Sequence, residues 1–150
     1  MPTVEASVEI ARPIGEVFDF LINPENLAVW DASVVRAAQV GSGPIAVGSR
    51  TDGTNKVLGK NFDWTTEITE LDPPNRVTYT SVAGRLQFVV TNSLEATPGG
   101  TRFTYHVEAE SGLGGVFGRI ADPLIVSAQN RTAQANLETL AELLTVGAPA

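Results

Sequence analysis

Cysteine is missing from all 150 residues. That excludes a disulfide framework, a thiolate metal site and a cysteine nucleophile, and it fits a reducing compartment. Histidine occurs once, at His106, too few to supply the usual nitrogen and sulfur ligands of a zinc site. Basic residues are also scarce, 10 against 17 acidic ones, for a formal net charge of −7. With no lysine or arginine cluster and no aromatic-plus-basic motif, the chain would repel a phosphate backbone, so no nucleic-acid partner is expected. Nowhere do about 18 apolar residues run together, which argues against an integral membrane segment. The stretch Met1 to Ala11 has neither the basic start nor the apolar run of a signal peptide, and the expectation is a cytoplasmic protein. A chain of this length fits one domain, over residues 1–150, that can bury roughly 68–70% of its unfolded surface without a covalent staple.

What is present is periodicity. From Thr3 to Ala11 the side chains alternate, with Val4, Ala6, Val8 and Ile10 on one face and Thr3, Glu5, Ser7 and Glu9 on the other, which predicts a half-buried strand. Pro13 suits a first helical turn because its φ is already set, and Val17, Phe18, Phe20 and Leu21 have helical spacing until Asn23-Pro24 stops it. Pro24 to Trp30 reads as a second short helical turn. Between Ser33 and Glu110 the text is strand, turn, strand, punctuated at Gly41-Ser-Gly-Pro44, Gly48, Gly59-Lys60, Asp72-Pro-Pro-Asn75, Ala83-Gly84 and Pro98-Gly-Gly100. Turns this tight imply an antiparallel meander, since parallel neighbours need crossovers of about a dozen residues or more. The clearest faces are Phe62/Trp64/Thr66/Ile68, Leu86/Phe88/Val90 and Phe103/Tyr105/Val107/Ala109.

A glycine-rich stretch, Gly112-Leu-Gly-Gly-Val-Phe-Gly118, precedes a change of period to 3.6 that lasts from about Ile120 to Leu144. On that helix Ile125, Val126, Ala133, Leu137, Leu140 and Leu144 form one stripe, and Asp122, Gln129 and Asn136 fall within it. A buried amide without partners costs about 1–3 kcal/mol, so Gln129 and Asn136 require strand partners, waters or a ligand.

The order strand, two short helices, long antiparallel meander and long terminal helix resembles the START-like or helix-grip superfamily (SRPBCC), in its polyketide cyclase/dehydrase-like subgroup. Val8-Glu-Ile-Ala-Arg-Pro-Ile-Gly-Glu-Val-Phe-Asp-Phe-Leu21 is similar to that family's opening strand and first helix, followed by Asn23-Pro24-Glu25 and the tryptophan at Trp30. Val47-Gly48-Ser49, Thr66-Glu-Ile-Thr-Glu-Leu-Asp-Pro-Pro-Asn-Arg-Val77 and Gly99-Gly-Thr-Arg-Phe-Thr-Tyr-His-Val107 are similar to its later strand starts and turns. These are scaffold motifs covering essentially the whole chain. The resemblance implies an α+β fold, a curved antiparallel sheet of about seven strands wrapped around a long C-terminal helix, with an apolar ligand held between the two.

On that frame the expected wall of a cavity is Trp30, Phe62, Trp64, Tyr79, Phe88 and Val90, with Tyr105 beside them. From the helix come Ile125, Gln129 and Asn136. His106 alternates away from Phe103, Tyr105 and Val107 and is expected on the solvent side, as is Asp63, opposite Trp64; Asp52 has no assignable face. Gly112-Leu-Gly114 resembles the start of a dinucleotide fingerprint, but Phe117 stands at the third glycine position and no strand follows the helix, so the βαβ unit is absent. A hinge beside the cavity mouth and a plain chain reversal both remain open there. Asn130-Arg-Thr132 is a glycosylation sequon inside a predicted helix of a chain with no secretion signal, and is set aside.

Three readings of function follow. The first is a module binding a lipid-like or polyketide-like hydrophobic molecule by shape and one or two hydrogen bonds. The second is a cyclase, dehydratase or hydrolase moving protons with a cavity carboxylate or tyrosine, for which no acid and base pair is evident. The third is an interaction domain whose cavity is filled by side chains. No cofactor is called for, and a homodimer stays open.

Overall fold

The computed structural model describes residues 3–57, 59–84, 87–109 and 123–146, with no side chain described for 57, 123–129 and 146. The chain runs β1 (Thr3–Ile10), α1 (Ile14–Ile22), a 3-10 turn (Pro24–Asn26), α2 (Leu27–Trp30) and β2 (Val34–Gln39). It continues through β3 (Arg50–Val57), β4 (Lys60–Asp72), β5 (Arg76–Gly84), β6 (Phe88–Thr97), β7 (Gly100–Ala109) and α3 (Pro123–Val146). The seven strands form one sheet in the order β1-β7-β6-β5-β4-β3-β2. Every pairing is antiparallel, as the tight turns require. The glycine-rich stretch 112–118, Leu86 and Asp122 lie outside the described residues. So do the side chains of Ile125, Val126 and Gln129.

Register carries one inward face across the whole sheet. Ala6 stands opposite Tyr105 and Val8 opposite Phe103. Tyr105 faces Asn92, and Phe103 faces Leu94. Asn92 faces Val77, and Val90 faces Tyr79. Tyr79 meets Ile68, and Trp64 meets Gly53. Because side chains alternate along a strand, these residues share the concave side that receives the helices, while Glu5, Glu9, Arg102, Thr104 and His106 share the convex side.

Packing is graded along that concave side. Toward the turns that join β4 to β5 and β6 to β7, the side chains are sealed: Ile10, Val77 and Phe103 from the sheet meet Val17, Leu137 and Leu140 from the helices, each at most 1% exposed. Burying each such side chain contributes about 1.5–3 kcal/mol, so this half holds the fold together. At the opposite end of the same strands Phe62, Tyr79, Phe88, Val90, Tyr105 and Val107 are only partly buried. Trp64, with Val34 and Ala37, forms a second, smaller cluster there.

Helix α3 lies along β1, and polar side chains fix it in place. The edge strand β1 has backbone groups with no further strand to pair with, and α3 satisfies two of them: Asn130 Oδ1 accepts from Glu5 N at 3.1 Å, and Gln134 Nε2 donates to Ser7 O at 3.0 Å. Covering a sheet edge in this way blocks pairing with another chain. At the far end Arg12 Nε donates to Leu144 O at 3.0 Å, placing a cation on the negative end of the helix.

Candidate functional site

The site starts where α2 ends. Trp30 is buried, and its indole makes edge contacts with the rings of Phe103 and Tyr105, with centroids 6.2 and 6.1 Å away. Its burial carries the next residue, Asp31, inward. Asp31 is 7% exposed, an expensive location for a carboxylate unless donors surround it. They do: Asp31 Oδ1 accepts from Ser33 N at 3.0 Å, Ser33 Oγ at 2.7 Å and Asn136 Nδ2 at 3.1 Å. Desolvation by burial raises its pKa above the usual carboxylate value, against the two Ser33 bonds, which favour the charged form. The Asn136 donor acts in the same direction as Ser33.

Asp31 is one end of a chain of side chains reaching the second aromatic cluster. Trp64 Nε1 donates to Asn55 Oδ1 at 2.8 Å, Asn55 Nδ2 to Ser33 Oγ at 3.3 Å, and Ser33 Oγ in turn to Asp31. Asn136 closes the other end, because its Oδ1 accepts from Ala32 N at 3.3 Å. The network thus ties α3 to the α2–β2 connection and that connection to β3 and β4. In the ring contact at the far end, Trp64 and Phe88 stand edge to face at 6.2 Å.

Tyr79 and Tyr105 share a further property. Both are half-buried, and burial raises the Tyr79 phenol to about 12. Burial first, and then the Asp31 charge, raise that of Tyr105 further above its ordinary value. Next to Tyr105 on β6 is Asn92, 5% exposed, whose Oδ1 is buried with no hydrogen-bond partner.

The residues expected at a cavity wall therefore divide into two groups. Trp30, Tyr105 and Asn136 converge with Asp31, and Tyr79 packs against the same apolar cluster as Trp30, while Phe62, Trp64 and Phe88 lie toward the β2–β4 side, joined to the first group through Asn55 and Ser33. Val90 sits between Tyr79 and Val107 in the ladder. His106 is on the convex face, 3.2 Å from Glu5 and 3.4 Å from Glu108. Asp63 and Asp52 also point away from Trp64 and accept from Thr54 and Thr65. A depression of about 350 Å³ on the convex face is lined by Glu70, Arg76, Glu95 and Arg102 among others; it is open to solvent and remote from the buried network. Among the described residues no group of three or more metal-ligating side chains occurs, and no helix is long and apolar enough to cross a membrane.

Sequence reasoning missed Asp31, Ser33, Asn55 and Asn92. For Asn92 the signal was available: it continues the Phe88/Val90 alternation inward by one step. Asp31, Ser33 and Asn55 lie in text without apolar periodicity, and only the tertiary fold brings them together.

Comparison with known proteins places this geometry. The profile of the family described as polyketide cyclase / dehydrase and lipid transport matches residues 1–145. The chain belongs to that family. Among solved structures, the family member is similar to TTHA0849 of Thermus thermophilus, with TM-score 0.81 and 21% identity over 99% of this chain and 100% of the other. It is similar also to DR_A0006 of Deinococcus radiodurans, with TM-score 0.71 and 15% identity over 99% and 100%. Major latex-like protein 151 of Panax ginseng aligns at TM-score 0.67 and 14% identity, covering 93% and 95%. At these identities the likeness is one of fold, the helix grip. Among curated proteins there is no match.

Proposed function

We propose that the protein binds a small hydrophobic molecule, lipid-like or polyketide-like, between the concave face of the sheet and α3. One observation carries this reading: the concave face holds a group of aromatic and apolar side chains, Tyr79, Phe88, Val90, Tyr105 and Val107, that stay only half-buried beside a sealed core. A looser apolar surface of this kind, with a few convergent polar groups beside it, suits a cavity for an apolar guest. The graded packing supports it further, since the sealed half maintains the fold while the looser half is left to accommodate a guest. Family membership agrees with a ligand-holding role.

Native mass spectrometry of protein purified from its own source tests the proposal. A co-purifying apolar molecule, released on denaturation, is the expected result; its consistent absence, together with failure of pocket-sized hydrophobic probes to bind, would refute it.

A second reading rests on Asp31 and Tyr105. A carboxyl with a raised pKa beside an enclosed phenol is an arrangement suited to proton transfer, as a cyclase or dehydratase acting on the bound molecule requires. Conversion of a bound candidate over time, lost in Asp31→Asn with binding retained, would favour it over simple binding.

A further inference from the structure

We propose that the cavity selects an apolar ligand carrying a neutral hydroxyl and rejects the corresponding carboxylate, with Asn92 Oδ1 accepting the hydroxyl proton. This rests on the binding reading above and specifies the ligand's polar end.

Two independent observations lead there. The first is Asn92. It stands on the concave face, between Val77 on β5 and Tyr105 on β7, at the boundary where the sealed core gives way to the looser half. Its Oδ1 is buried and unpartnered. A protein acceptor left without a donor on a concave wall is completed by a donor brought in by a guest. The apolar neighbours Val77 and Leu94 offer none.

The second observation is the sign of the charge inside. Among the described residues every lysine and arginine is exposed except Arg12, and Arg12 is engaged at the C-terminal end of α3. His106 is on the convex face between two glutamates. The ionisable groups that the described concave side does hold, Asp31, Tyr79 and Tyr105, are all acids. A ligand carboxylate would thus come to lie next to Asp31 with no countercation among the described residues to meet it, whereas a hydroxyl brings the missing donor and no charge.

Isothermal titration of a matched set on one skeleton, 2-naphthol, naphthalene and 2-naphthoate, tests this at neutral pH. Wild type is expected to bind 2-naphthol at least about ten-fold more tightly than 2-naphthoate, the scale of one well-placed hydrogen bond against an uncompensated charge. In Asn92→Leu, 2-naphthol affinity should fall by about ten-fold and naphthalene affinity stay within about two-fold, because only the acceptor is lost. Urea unfolding of the unliganded variant should show an unchanged or higher midpoint, since an unpartnered polar atom has been removed. Equal or tighter binding of 2-naphthoate by wild type overturns the head-group assignment, and that comparison stands even where Asn92→Leu does not fold. An unchanged naphthol preference in a folded Asn92→Leu shows that water alone meets Oδ1 and overturns the role of Asn92. Failure of all three probes to bind overturns the cavity reading itself.

Discussion

Replacing Asn136 by leucine is the perturbation that most sharply separates a structural amide from a ligand-facing one. In the structure the Asn136 amide spans two elements, donating to Asp31 Oδ1 at 3.1 Å and accepting from Ala32 N at 3.3 Å, and it is 9% exposed. Leucine removes both bonds. A hydrogen bond to a charged group is worth about 1.5–3 kcal/mol, and the bond from Ala32 N, on an exposed residue that water can reach, about 0.5–1.5 kcal/mol more. Against that, leucine places extra apolar surface beside Leu137 and Leu140, which offsets about 1–2 kcal/mol. The balance is a loss of about 1–2 kcal/mol in the unliganded protein. Urea unfolding reads it directly: with a slope of about 1–3 kcal/mol/M, the midpoint should fall by about 0.5–1 M at unchanged slope. A midpoint that stays or rises would refute the reasoning, and would return Asn136 to the role of a group kept for a ligand.

Three other outcomes follow from the same geometry. Asp31 has its folded pKa raised by burial, so it disfavours the native state once ionised: its effect is absent below the unfolded pKa and grows as pH rises through the folded one. Asp31→Asn keeps an acceptor at the Oδ1 position, and its urea midpoint should match or exceed wild type at neutral pH while the two converge at acidic pH; a variant clearly less stable than wild type at neutral pH contradicts this. Gly53 underlies the Trp64 indole so closely that a Cβ would lie 2.6 Å from Cε2, and Gly53→Ala should cost about 1–3 kcal/mol with a shifted tryptophan emission, against no change if the ring can move freely. His106→Gln, on the convex face, should alter stability by no more than about 0.5 kcal/mol and leave probe binding intact; a larger loss would give the Glu5–His106–Glu108 cluster a structural role.

Much of the fold was legible because its signals are local. The alternation of Val4, Ala6, Val8 and Ile10 gave β1 its inward face, the proline and glycine clusters marked the hairpins, and the stripe of Ala133, Leu137 and Leu140 is the buried side of α3. Asn136 stood out for the same reason, as an amide where the period demanded an apolar residue. Asp31 did not, because nothing in its neighbours' spacing says that Trp30 drags it inward. The link between Trp64 and Asp31 was beyond reach as well, since it joins β4, β3 and the α2–β2 connection through Asn55 and Ser33, three segments whose meeting is a matter of tertiary geometry. The Asn92 oxygen lies between these cases: strand parity points it inward, but its lack of a partner emerges only once every neighbour is in place.

The central claim is that a ligand occupies the looser half of the grip, and filling that half tests it most directly. Val90 is partly buried on the concave face, flanked in the ladder by Tyr79 and Val107. Val90→Trp should occupy the space with its own indole, weakening an apolar probe by about ten-fold or more while the urea midpoint moves by less than about 1.5 kcal/mol equivalent, as expected where room is available. Binding that persists undiminished in a folded Val90→Trp would place the ligand elsewhere and contradict the account.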